Sequence, residues 1–151
     1  MQTTHPLLRF SAIAALLSLG ACGQEEASAP ATLPRTVSPD GASVFFITPA
    51  DGDTVSSPVR IEFGIDGMIV VRACTKKAHS GHHHLLVDAG LPDLGMPIPA
   101  DAAHIHFGDA STSTELGLDP GEHTLQLLLG DHLHIPHDPP LVSQRIAITV
   151  E

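Results

Sequence analysis

The chain of 151 residues has no tyrosine, no tryptophan and five phenylalanines, so its eleven histidines are not part of a general enrichment in polar rings. Positive charge is scarce. Seven Lys plus Arg stand against seventeen Asp plus Glu, and a net charge of −10 leaves no basic footprint for nucleic acid and no electrostatic attraction to anionic lipid. Three methionines, none in a cluster, count against a Cu(I) carrier, and the shortage of closely paired carboxylates counts against a calcium site. No window has a sustained helical period. The apolar run at residues 10–19 is about half the roughly twenty residues that a permanent transmembrane helix needs.

That run instead reads as a targeting segment. It follows Arg9 and closes on Leu19-Gly20-Ala21-Cys22, small residues placed directly before a cysteine. The ending resembles the bacterial lipoprotein signal. The resemblance implies that residues 1–21 are removed and that Cys22 is lipidated, anchoring the chain to the envelope. Gly23 follows Cys22 where a sorting Asp would retain the protein at the inner membrane, which implies the outer membrane facing the periplasm. Residues 22–42, rich in Ala, Pro and Ser, have no apolar period and read as a solvated tether. With Cys22 acylated, Cys74 has no partner for an intrachain disulfide; it is expected as a buried residue or a liability rather than a soft metal ligand.

Residues 43–151 suit one domain with one core. Turn signals such as Pro49-Ala50-Asp51-Gly52, Asp66-Gly67 and Asp119-Pro120-Gly121 recur at short intervals. Between them lie runs rich in Val, Ile, Leu, Phe and Thr at 43–48, 59–65, 68–72, 82–88, 104–107, 112–118, 124–129 and 141–150. The pattern predicts an all-β fold, an immunoglobulin-like antiparallel β-sandwich of about seven or eight strands. Alternation predicts that Val59, Ile61 and Phe63, then Leu125, Leu127 and Leu129, then Ile146, Ile148 and Val150 face the core. Residues 89–103, with three prolines, read as a long ordered loop.

Within that stretch lie Gly81-His82-His83-His84-Leu85-Leu86-Val87-Asp88, Pro97-Ile98-Pro99-Ala100-Asp101 and His104-Ile105-His106-Phe107-Gly108. Pro120-Gly121-Glu122-His123-Thr124-Leu125 and Gly130-Asp131-His132 through His137-Asp138-Pro139-Pro140 follow. These motifs resemble the bacterial domain-of-unknown-function family 4399 over nearly the whole domain. The resemblance implies an exported or envelope protein and brings no established activity. Pro49-Ala50-Asp51-Gly52 with Val55, Pro58, Val59 and Phe63 is also similar to the start of immunoglobulin-like and copper-carrier β-domains. The copper-carrier likeness stops at the processed N-terminus, where no histidine stands.

Ten of the eleven histidines fall between His79 and His137. Imidazole is the commonest protein ligand for zinc, copper and nickel, and its charge changes near neutral pH. On a strand, residues two apart share a face, about 7 Å from each other. His82 and His84 should therefore point together, as should His104 and His106, opposite Ile105 and Phe107. His83 should turn toward the side of Leu85 and Val87 and bond a backbone carbonyl. His123, on the face of Leu125 and Leu127, reads as a packing residue. His132, His134 and His137 sit in a loop stiffened by three prolines, which can present several imidazoles at small ordering cost.

The candidate metal ligands are thus His82, His84, His104, His106, His132, His134 and His137, with Asp88, Asp131 and Asp138 as carboxylates to orient ring N–H groups. Ligand softness favours zinc or Cu(II). Two other readings stay open: an internally hydrogen-bonded histidine lattice in a structural or interaction module for another envelope protein, and a proton-responsive surface. Neither Cys74 near His79 nor Ser80 has the surroundings of a catalytic nucleophile. Metal-assisted hydrolysis would need three histidines and an open coordination position.

Overall fold

The computed structural model describes residue 2 and residues 33–151. The expected signal segment apart from residue 2, Cys22 and most of the expected tether lie outside the described residues. Among the described residues nine strands follow in chain order: β1 (Ser43–Thr48), β2 (Thr54–Val55), β3 (Val59–Asp66), β4 (Ile69–Val70), β5 (Ser80–Val87), β6 (His104–His106), β7 (Ser113–Leu116), β8 (Gly121–Gly130) and β9 (Ile146–Val150). No helix occurs among the described residues.

The strands form a β-sandwich of two sheets. One is antiparallel with the order β1-β3-β7. The other has the order β2-β9-β8-β5-β4, with β6 also paired to β5. Period-two alternation places the core where the sequence predicts it. Ile61 and Phe63 from the small sheet meet Leu125, Leu127, Leu129, Ile146 and Ile148 from the large one, all buried. Each fully buried aliphatic side chain contributes roughly 1.5–3 kcal/mol.

The edges depart from the antiparallel expectation. β4 runs parallel to β5 and β2 parallel to β9. The run at 68–72 keeps only two strand residues because residues 71–79 cross over before β5 instead of turning back as a hairpin. The run at 141–150 is broken as well. Leu129 N donates to Leu141 O and Ser143 N to Leu127 O, but the Ser143 hydroxyl accepts the Leu127 amide at 2.9 Å, which interrupts the ladder until Ile146.

Central strand β5 is buried at every position, because both of its faces are covered. His83, Leu85 and Val87 face the sandwich interior. On the outer face Leu86 packs with Ile98 and Leu128 in a second small core, which pins the proline-rich 89–103 loop over the sheet. That covering turns the outer face of β5 into an interior.

Residues 35–38, expected as tether, pair with the loop after β8. Val37 bridges Asp138, and the Arg35 guanidinium donates to the carbonyls of Pro136 and His137. The reason is chemical: a basic side chain and a run of backbone groups find partners along a loop rich in free carbonyls.

Candidate metal centre

His82 and His84 project from the outer face of β5. The β5–β6 register sets His84 directly opposite His106, and the β5–β8 register sets His82 opposite Gly130. One potential ligand nitrogen from each of His82, His84 and His106 lies within 4.8 Å of the others. A fourth ring, that of His134, stands over them. Its centroid is 4.9 Å from that of His82, 4.8 Å from His106 and 6.0 Å from His84.

Two glycines make room for this cluster. A Cβ at position 130 would come 2.8 Å from Cε1 of His84, and a Cβ at position 108 would come 2.4 Å from Cε1 of His106. Any side chain at either place would displace a ring. Their value escapes sequence reading, although each glycine borders a histidine motif.

Both ring nitrogens of His82 and of His84, and Nε2 of His106, are buried without a hydrogen-bond partner among the described residues. An unsatisfied buried polar group costs roughly 1–3 kcal/mol, so five such atoms in one place are a conspicuous debt. The rings are held neutral. Burial lowers the His82 pKa to about 4, assisted by repulsion from His134 and His106. Burial takes His84 to about 2, with its three histidine neighbours adding to the effect. His106 is lowered by burial and by His134. Neutral imidazoles keep a lone pair free, the state in which they ligate metals. In a tetrahedral zinc site ligand nitrogens lie about 3.3 Å apart, given bonds of roughly 2.0–2.1 Å, so small ring rotations would close the group.

Asp131 shapes the loop that carries His134. Its Oδ1 accepts the amides of Leu133 at 2.8 Å and Ile135 at 3.0 Å, and its Oδ2 accepts the Thr36 hydroxyl at 2.6 Å. Burial opposes the charge on this carboxyl, but those hydrogen bonds outweigh it and hold the pKa below the usual aspartate value. His134 between them takes φ 65°, the left-handed region, at a cost of roughly 1 kcal/mol or more for a non-glycine residue. Asp131 therefore bonds no imidazole; the nearest, His132 Nδ1, is 3.8 Å away.

The other candidates lie apart from the cluster. His104 shares the outer face with His106, but its Nδ1 faces Asp101 at 2.9 Å. His137 is fully buried, and its Nε2 donates to the Ser80 carbonyl at 3.2 Å. Asp138 is exposed and forms an ion pair with Arg35 at 3.5 Å. Asp88 serves His123 instead of a metal ligand. His123 Nδ1 meets Asp88 Oδ2 at 2.7 Å while Nε2 meets the Asp119 carbonyl at 2.8 Å. Both ring nitrogens face acceptors, so only the imidazolium satisfies both, and the Asp88 hydrogen bond raises the His123 pKa.

His83 takes the inward side as expected and packs edge-on against Phe63 with centroids 4.7 Å apart. The carbonyl bond expected for its ring is missing: both nitrogens are unpartnered, and burial lowers its pKa to about 4. Cys74 is exposed, at φ 64°, and belongs to no ligand group among the described residues.

Fold and site together define a small β-sandwich module with an internal cluster of histidines able to hold a metal ion. The chain belongs to the family described as Domain of unknown function (DUF4399), whose sequence profile matches residues 61–151. No curated protein and no solved structure matches the chain.

Proposed function

We propose that the protein is a lipid-anchored envelope module, tethered through Cys22, that binds one transition-metal ion, zinc or Cu(II), through His82, His84 and His106, with His134 as a fourth donor. One observation carries the reading. Five buried ring nitrogens with no hydrogen-bond partner meet where three of the histidines offer atoms within 4.8 Å of one another. A histidine lattice would leave those rings bonded to neighbours; here the unbonded nitrogens favour an ion. His104, His132 and His137 stand outside the proposed ligand set. The anchoring part of the proposal rests on Leu19-Gly20-Ala21-Cys22 alone.

Residues 23–151, stripped with chelator and titrated with zinc and with Cu(II) by calorimetry, test the site. The expected result is one ion per chain, with binding weakened at least about 100-fold in a His82→Ala/His106→Ala variant. Equal weak heats from both proteins overturn the metal reading. Labelling of the full chain with a radioactive fatty acid tests the anchor; no label on Cys22 overturns it.

A further inference from the structure

Residues 33–38 lie outside the stretch that matches the family, yet they run alongside the loop that presents His134. Ser38 N donates to Asp138 O at 3.1 Å and Asp138 N to Thr36 O at 2.9 Å, so the two segments are laced by backbone. Arg35 Nε adds a bond to the Pro136 carbonyl at 3.0 Å. The deepest contact is that of Thr36, whose hydroxyl satisfies Oδ2 of Asp131, a carboxylate only 2% exposed. The other oxygen of Asp131 holds the amides on either side of His134.

We propose that this segment is a latch on the metal site, with Thr36 as the positioning residue that acts through Asp131 to keep His134 over His82 and His106; the proposal rests on the metal-binding reading above. The physical chain is short. Without the Thr36 hydroxyl, one oxygen of a buried carboxylate loses its only donor among the described residues, and the carboxylate gains by rotating toward solvent. Rotation releases the Leu133 and Ile135 amides, and His134 then relaxes out of its left-handed conformation. Three imidazoles from β5 and β6 remain, so the ion is still bound but leaves faster. Metal residence is thus set by a segment outside the matched family region.

The test compares Thr36→Val, Thr36→Ser, His134→Ala and the Thr36→Val/His134→Ala double variant in residues 23–151, with zinc release followed by a colorimetric chelator. Thr36→Val and His134→Ala should each speed release by about tenfold, the scale of outer-sphere changes at metal sites. Thr36→Ser should restore the slow rate, and the double variant should be no faster than His134→Ala alone. Unchanged release in Thr36→Val, or effects that multiply in the double variant, overturns the latch. Should the wild-type protein take up no zinc, the metal reading itself fails. The latch is then decided by amide exchange at Leu133 and Ile135 in the metal-free chain: about tenfold faster in Thr36→Val supports it, and no change overturns it.

Discussion

The imidazoles of this protein divide by whether their nitrogens have partners. His104 and His123 are tied to carboxylates and His137 is tied to a carbonyl through Nε2 while its Nδ1 has no partner, whereas His82, His83 and His84 have both ring nitrogens buried with none among the described residues. His83 has no convergent neighbours to share an ion, so its unpartnered nitrogens stand as a simple cost. His83→Leu should therefore stabilise the metal-free protein by about 1–2 kcal/mol, seen as a higher urea midpoint with an unchanged slope; a lower midpoint would mean that the ring is satisfied in solution. Gly130→Ala should act in the opposite direction. Its methyl meets the His84 ring and the His134 backbone, 2.8 Å from Cε1 and 3.3 Å from Cα. A loss of about 1–3 kcal/mol is expected from the overpacking, together with weaker zinc binding by calorimetry.

At the scale of elements, two different coverings define two interiors. β9 and the first half of β3 follow strict alternation, β8 does so at Leu125-Gln126-Leu127 before it too is buried on both faces, and the three supply the sandwich core. Leu127, at its centre and fully buried, should cost about 2–5 kcal/mol on replacement by Ala, measured by urea unfolding. β5 departs from alternation because loops roof its outer face, so every residue is buried. The faces were legible in the residues: His82 with His84, His106 opposite Ile105 and Phe107, and His83 inward all follow from period two. The ends of strands were less legible. Ser143 reads as an ordinary strand residue, yet its hydroxyl replaces a ladder partner and splits the last run. The pairing of residues 35–38 with the 136–139 loop has no local signal, because it joins segments about a hundred positions apart.

For the whole molecule, the buried histidines make stability depend on pH with a definite sign. The folded pKa values of His82 and His83 are about 4, below the ordinary value of 6.5. Between pH 6.5 and 4 the unfolded chain therefore binds protons that the folded chain does not. Stability is thus undiminished by these rings' titration above pH 6.5 and falls as pH drops toward 4, at roughly 1.4 kcal/mol per pH unit for each ring once well below 6.5. The metal-free protein is expected to unfold in acid between about pH 6 and 4, followed by circular dichroism; full stability at pH 4 would contradict the burial of these rings. The His123–Asp88 pair has the reverse dependence on its histidine side, being lost as pH rises through the raised His123 value. Saturating zinc should raise the thermal midpoint of the wild-type chain at neutral pH by mass action, and leave that of His82→Ala/His106→Ala unmoved.

Residue order by itself determined the class of fold, the inward faces and the pairing of histidines two apart on one strand face, because these depend on a period of two and on local turn chemistry. Only the tertiary structure decided which histidines meet. His84 reaches His106 through a β5–β6 register, and His134 arrives on a loop held by Asp131 and Thr36. Those are contacts between distant segments, selected by the packing of Leu86, Ile98 and Leu128 and by where a buried carboxylate finds its donors. No spacing within a single segment encodes that choice.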